Sequence, residues 1–183
     1  KTPLFEDHKS LGANVIDFGG WDMPVYYTNI ISEHNTTRSA CGLFDICHMG
    51  EIFVEGQKAE QLVQMAVSRD ISTLDIGKMA LSVLCNQQGG VMDDLTVYKL
   101  AKEKFMIVVN ASTATKDFLQ IKKVQHDFGF DAVVSNKSSD FGKLDIQGPK
   151  AQEILQKIVS FDLNELKFYS FSEQKKSLLG MDC

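Results

Sequence analysis

MGEIFVEGQKAEQLVQMAV, residues 49–67, returns 92 positions later and without a gap as FGKLDIQGPKAQEILQKIV, residues 141–159. Gly50 matches Gly142, Gly56 matches Gly148, Lys58-Ala59 matches Lys150-Ala151, Gln64 matches Gln156 and Val67 matches Val159. In each copy an extended apolar run reaches a glycine and then changes period. In the first copy Ala59, Leu62, Val63 and Ala66 fall on one helical stripe. Six identities in nineteen positions carry little weight alone; the shared strand–glycine–helix pattern gives them meaning. Two copies of a unit this long do not build a solenoid, so the reading is α+β with a duplicated unit.

Working outward, three strands are predicted near 79–86, 91–99 and 105–110, joined by the Gly89-Gly90 turn and the charged loop Lys102-Glu103-Lys104. A helix is expected from Thr113 to Gln125 with Phe118, Ile121 and Val124 facing inward. Upstream, a short helix through His8 to Leu11 precedes an extended stretch over 14–18, a turn-rich loop over 19–24 and a helix capped at Asn29 or Ser32. The chain divides into an N-terminal segment over 1–48, a first α+β repeat over 49–135 and the start of a second repeat over 136–183. The second copy has a strand over Lys143–Gln147 and a helix over Pro149–Val159, but not the three strands that follow the first. The chain is expected to end mid-domain.

Within the predicted strand at 91–99, Asp93 and Asp94 stand side by side. Aspartate is depleted in strands, because its side chain competes for backbone hydrogen bonds. Alternation puts Met92, Asp94, Thr96 and Tyr98 on one face and Val91, Asp93, Leu95 and Val97 on the other. One carboxylate and one phenol then share a wall. An acidic pair that merely closes the Gln87-Gln88-Gly89-Gly90 turn is the plain alternative.

Composition excludes several classes. With 44% hydrophobic and 23% charged residues the chain is of ordinary globular type, and its net charge of -5 offers no basic footprint for nucleic acid. No apolar run approaches the roughly 18 residues that span a membrane, and no signal-peptide pattern opens the chain. Cys41, Cys47, Cys85 and Cys183 lack metal-type spacing, as do His8, His34, His48 and His126. No metal site is expected, and free thiols in a reducing cytoplasm are the default.

Ordered motifs then run from end to end: Lys1-Thr2-Pro3-Leu4-Phe5, Asp17-Phe18-Gly19-Gly20-Trp21-Asp22-Met23-Pro24, Gly42-Leu43-Phe44-Asp45, His48-Met49-Gly50-Glu51, Asn86 to Tyr98, Val108-Val109-Asn110-Ala111-Ser112, Gln147-Gly148-Pro149-Lys150-Ala151 and Tyr169-Ser170-Phe171. With them the chain resembles the first half of the aminomethyltransferase (T-protein) family of the glycine cleavage system. The resemblance implies a folate-binding α+β domain of two intertwined strand–helix–antiparallel-strand repeats, here truncated in the second repeat and lacking the C-terminal β-barrel. It implies transfer of a one-carbon unit from the aminomethyl-lipoyl arm of H-protein to tetrahydrofolate, giving 5,10-methylenetetrahydrofolate and ammonia. Tetrahydrofolate would be a substrate and lipoylated H-protein the partner, with no nucleic acid or membrane involved.

The family's acidic residue beside the pterin falls on Asp94, and the folate-lining positions fall on Met49, Tyr98, Asn110 and Tyr169. Two departures stand out. Leu81 occupies a position where the family commonly has a pocket tyrosine, and the Arg-Thr-Gly-Tyr-Thr-Gly-Glu motif would begin just after Cys183. A carboxylate roughly 2.6–3.2 Å from the nucleophilic nitrogen would accept or steer its proton, a contribution of about 10²–10⁴ in rate. Positioning the two large carriers should matter at least as much. Asp93 is read as structural or solvent-facing, His48 as a structural hydrogen-bonder, Trp21 as a plug of the domain core, and Cys47 and Cys85 as small buried hydrophobes.

Two other functions are weighed. A non-catalytic folate-binding protein supporting iron–sulfur proteins would typically lack the aspartate pair and carry Lys-Gly-Cys-Tyr in place of Arg-Thr-Gly-Tyr. A folate-dependent demethylase would use the same scaffold on sarcosine-like or sulfonium substrates. The 183-residue chain alone is expected to be inactive.

Overall fold

A computed structural model describes residues 1–172, together with the backbone of 177–178 and 181–182; Cys183 and part of the expected third segment lie outside the described residues. In chain order the elements are α1 (Phe5–Ser10), β1 (Asn14–Phe18), β2 (Trp21–Tyr26), α2 (Ile30–Ser39), β3 (Gly42–Asp45), β4 (Gly50–Glu55), α3 (Ala59–Ala66), β5 (Met79–Cys85), β6 (Val91–Ala101), β7 (Lys104–Val109), α4 (Ala114–Phe128), β8 (Val133–Asn136), β9 (Leu144–Gln147) and α5 (Ala151–Gln156). No helix among the described residues is long and apolar enough to cross a membrane.

The contacts gather into two compact units. One holds Met49–Phe141 and a short segment beginning at Lys167; the other holds Lys1–His48 and Gly142–Leu166. In the Met49–Phe141 unit an antiparallel five-stranded sheet runs in the order β5-β6-β7-β4-β8. Ile52, Val54, Leu95, Val97, Ile107 and Val109 are buried on one face, in a single cluster with Leu62 and Val63 of α3 and Ile121 of α4. The helical stripe predicted on α3 is buried at all four positions. Phe118 and Val124 pack against the cluster from α4.

The other unit is built differently. Its sheet strands pair as β1 with β2 and β3 with β9, both antiparallel. Asn29 caps α2, its side-chain oxygen accepting from the Ser32 amide at 3.1 Å. Trp21 is half-buried opposite Phe18 in the β1–β2 hairpin. It does not plug a core, a correction that follows from the two-residue Gly19-Gly20 turn fixing its strand. His8 ties α1 down: its Nε2 donates to Asp45 Oδ2 at 2.8 Å, and the Tyr27 hydroxyl donates to its Nδ1 at 2.7 Å.

The duplication is visible atom by atom. Gly56 and Gly148 both adopt left-handed φ, 124° and 122°, which strongly disfavours any residue with a Cβ. Each is followed by the same turn, with Ala59 N–H bonding Gly56 O at 2.9 Å and Ala151 N–H bonding Gly148 O at 3.0 Å. Gln64 Oε1 accepts from Ile71 N–H at 2.6 Å while its Nε2 donates to Arg69 O at 3.0 Å. Gln156 repeats the device, accepting from Leu163 N–H at 2.9 Å and donating to Phe161 O at 2.8 Å. The repeat reaches further upstream than the quoted stretch: α2-β3-β4-α3 answers α4-β8-β9-α5. Because β4 pairs with β8 and β9 with β3, each copy lends its second strand to the other's first. The expected intertwining is real. Strands β3 and β8 had gone unassigned in the sequence, being four residues each. The second copy's elements are shorter than expected, β9 starting at Leu144 and α5 ending at Gln156.

Candidate functional site

Asn86 builds the turn that launches β6. Its Oδ1 accepts from the amides of Gln88 at 3.0 Å and Gly90 at 2.8 Å, fixing the phase of the strand that follows. Alternation along β6 is then as predicted from 92 onward. Asp93, Leu95 and Val97 are buried, Met92, Thr96 and Tyr98 are half-buried, and Asp94 is exposed. Register carries the open face across three more strands. Tyr98 lies opposite Met79 and Met106, Thr96 opposite Leu81 and Val108, and Asp94 opposite Val83. Glu51 lies opposite Val108. The face is an apolar shelf with few polar groups, and Leu81 is on it, 53% exposed.

Asn110 stands one step past β7. Its Nδ2 donates to the Asp94 carbonyl at 3.0 Å and to Asp94 Oδ1 at 3.2 Å. The same nitrogen donates to Asp93 Oδ1 at 2.9 Å, and the Asn110 backbone N–H to Asp93 Oδ2 at 3.0 Å. Thr113, at the start of α4, donates from its hydroxyl to Asn110 O at 3.1 Å. Asp93 is thus structural, and not solvent-facing: it is 8% exposed and anchors Asn110. Burial pushes the Asp93 carboxyl up, yet the donors from Asn110 outweigh it and leave it below the ordinary range.

Met49 immediately precedes β4, one step beyond the Gly50–Val109 pair and so level with Asn110. Tyr98 lies at the far end of the shelf, its ring tilted against Phe171 with centroids 5.3 Å apart. Burial, and then the charge of Glu51, raise the Tyr98 phenol above its ordinary value. Tyr169 follows the edge of β5. Its carbonyl accepts from Met79 N–H at 3.1 Å, and at φ 51° it is the one non-glycine among the described residues with positive φ. A tyrosine held in the left-handed region is uncommon. Met49, Asp94 and Asn110 therefore meet at one end of the shelf, with Tyr98 and the Tyr169 backbone by Met79 at the other.

Sequence reasoning missed Asp117 altogether. It lies on α4, completely buried beneath the aspartate pair. A helical aspartate in a polar stretch gave no sign of this; only the i−4 spacing from Thr113, itself three residues after Asn110, could have pointed inward. Contrary to the expected structural hydrogen bond, the buried Nδ1 of His48 has no partner among the described residues, and Phe18 packs edge-on against its ring. Cys47 is half-buried and polar in its contacts, receiving the Lys143 amide on its sulfur at 3.1 Å.

A cleft of about 940 Å³ exists in the Lys1–His48 and Gly142–Leu166 unit, lined by Val25, Ile30, Leu43, Phe44 and Glu33 among others. It holds none of the predicted residues. Its carboxylate, Glu33, is consumed by the amides of Tyr27, Thr28 and Asn29.

A match to the GCVT N-terminal domain covers residues 4–182. The chain belongs to that family. It is 46% identical over 180 residues to the aminomethyltransferase of Thermotoga maritima, covering 98% of this chain and 48% of the relative. The crystal structure of glycine cleavage system aminomethyltransferase T from Bartonella henselae superimposes with a TM-score of 0.86 at 40% identity, over 93% of this chain and 46% of that one. The chain thus spans about half the length of the relatives it matches. A heterotetrameric sarcosine oxidase from Corynebacterium shares the fold at 14% identity and a TM-score of 0.53. The α+β architecture of the GCVT N-terminal domain is the one built here from strand register.

Proposed function

We propose that the intact protein transfers a one-carbon unit from the aminomethyl-lipoyl arm of H-protein to tetrahydrofolate, releasing ammonia and leaving 5,10-methylenetetrahydrofolate. The observation that carries this reading is that Asp94 is the one carboxylate of its pair on the open face of the sheet, at the same end as Asn110 and Met49. A flat pterin needs an apolar shelf with a few fixed polar groups, and Met79, Leu81, Val83 and Val108 offer the apolar part. Asp94 would take or steer the proton of the nucleophilic amine and balance developing positive charge. Asn110, Tyr98, Met49 and Tyr169 would orient the ring, Asn110 from a position fixed by four hydrogen bonds.

The family membership supports lipoylated H-protein as donor, and we place the reaction in the cytoplasm. Because the chain spans 48% of its Thermotoga relative, we assign the activity to the intact protein and expect residues 1–183 alone to bind tetrahydrofolate weakly and to transfer nothing. The test is Asp94→Asn in the intact protein, assayed with aminomethyl-lipoyl H-protein and tetrahydrofolate. Turnover should fall about 10²-fold or more with folding unchanged, since an amide neither accepts a proton nor holds charge. Turnover within a few-fold of wild type would remove Asp94 from the chemistry.

A further inference from the structure

Asp117 is 0% exposed, and neither of its carboxyl oxygens receives a hydrogen bond from any donor among the described residues. Its own amide is spent on Thr113 O at 2.9 Å, within α4. The Thr113 hydroxyl, which lies beside both carboxyls, donates to Asn110 O at 3.1 Å. What the Asp117 carboxyl does reach is the carboxyl of Asp93. Two buried carboxylates in contact cannot both ionise cheaply; one proton between them removes the repulsion and supplies the missing donor. The location of that proton follows from the neighbours. Asp93 accepts one bond on each oxygen from Asn110, which stabilises its anion, whereas burial outweighs the weaker help that Thr113 and Lys116 give an anion on Asp117.

We propose that Asp117 is a proton-holding positioning residue: as a carboxylic acid it donates to Asp93, and the single negative charge of the pair locks the Asn110 amide against Asp94. The chain of contacts runs Asp117–Asp93–Asn110–Asp94, from beneath the sheet to its open face. Asn110 has two side-chain N–H groups, and an amide flip would swap both for an acceptor. The charge on Asp93 forbids the flip, because the amide oxygen would then face an anion. The titration tendencies agree. Burial raises Asp117, with Thr113 and Lys116 opposing and Asp93 raising it further, to about 7, while Asp93 itself is lowered. The proton sharing does not depend on the proposed folate site; only its consequence for ligand binding does.

Three measurements on the intact protein separate these parts. Infrared difference spectra between wild type and Asp117→Asn near pH 6 should contain the carbonyl band of one buried carboxylic acid; its absence overturns the proposal whatever the ligand is. Thermal unfolding gives a second readout. A carboxyl raised in the folded state stabilises the fold at low pH and loses that contribution as pH rises, so between about pH 4 and about pH 7 the wild type should lose stability more steeply than Asp117→Asn. Equal slopes would count against a proton on Asp117. For the positioning role, tetrahydrofolate titrations should show about tenfold weaker binding for Asp117→Leu and recovery of most of that loss in Asp117→Asn, whose amide donates as the acid does. If Asn is as damaging as Leu, Asp117 acts as a carboxylate and the proposal fails; if neither variant changes affinity, Asp117 does not position the site. Should the wild type not bind tetrahydrofolate, the folate reading falls while the infrared and unfolding results still decide the shared proton. Should Asp117→Leu not fold, wild type and Asp117→Asn alone decide it.

Discussion

Leu62 and Ile154 occupy matching positions of one repeated pattern, yet Leu62 has no exposed surface while Ile154 keeps 40% of its own. The contrast extends to whole elements. Helix α3 buries Ala59, Leu62, Val63 and Ala66, whereas α5, with the same turn and the same glutamine clasp, buries no residue. What separates the two units is supply of strands: β5, β6 and β7 extend the sheet beside β4, and no such strands stand beside β9 among the described residues. Local geometry is set by residues that act within a few positions of themselves, such as a left-handed glycine or a glutamine that satisfies two backbone groups. Burial is set by partners far away in sequence. A duplicated sequence can therefore reproduce its shape faithfully and its stability not at all.

The strongest way to break this comparison is to truncate the matched pair. Leu62→Ala should destabilise the 183-residue chain by about 2–5 kcal/mol through lost transfer energy and a residual cavity. Ile154→Ala should cost less than about 1 kcal/mol. Urea unfolding of both variants checks it; equal losses would mean that exposure of α5 in the folded chain has been misjudged.

The anchors of the two units also titrate in opposite directions. Burial pushes the Asp45 carboxyl up, but the Thr2 hydroxyl, the Cys47 amide and His8 outweigh it and bring it to about 2. A lowered carboxyl contributes stability above its unfolded value near 4 and loses it as pH falls toward about 2, the reverse of Asp117. Since the Asp45 side chain is 1% exposed, the contribution at neutral pH is of order 2 kcal/mol. Asp45→Asn should lose about that much at pH 7 and converge with wild type in strong acid. A constant gap from neutral to acid would show that packing rather than charge holds His8 to Asp45.

A smaller effect tests the sameness of the repeats instead of their difference. Gln64→Ala and Gln156→Ala each strand a backbone N–H and a carbonyl after a helix, at a cost of about 1–2 kcal/mol. The two losses, read from thermal midpoints, should agree despite the unequal cores. A much smaller effect at Gln156 would mean that the clasp matters only where the chain it holds is buried.

Much of this was legible because it is local or periodic. The α3 stripe, the three strands over 79–110 and the opposed faces of Asp93 and Asp94 all follow from period and turn chemistry in a few consecutive residues. β3 and β8 escaped because four-residue strands carry little periodicity and are stabilised by partners far away in sequence, β3 by β9 and β8 by β4. Trp21 misled because aromatic size suggests a core, and a hairpin can hold a large ring half-open. Asp117 was invisible for a deeper reason. A helix presents its inward face by packing, and the partner that makes an inward aspartate tolerable, Asp93, is on another element altogether. The candidate site was thus readable as a surface and unreadable as a depth.

The smallest expected effect sits on the open face that only the Met49–Phe141 unit presents. Leu81 lies opposite Thr96 and two residues from Val83, which faces Asp94, and the resemblance puts a tyrosine at this position. Restoring it adds a hydroxyl and ring area to the shelf without touching the core, since Leu81 is half exposed and Ala80 and Ser82 carry the inward positions. Leu81→Tyr should tighten tetrahydrofolate binding to the intact protein by the value of one hydrogen bond, about 0.5–1.5 kcal/mol, with the unfolding midpoint little changed. Isothermal titration distinguishes the outcomes. Tighter binding places the ligand on the shelf near the centre of β5; unchanged affinity places it nearer the Met49–Asn110 end, beyond reach of position 81. Weaker binding would mean that leucine is itself a contact, and that this chain meets its ligand with an apolar surface where the resemblance implies a phenol.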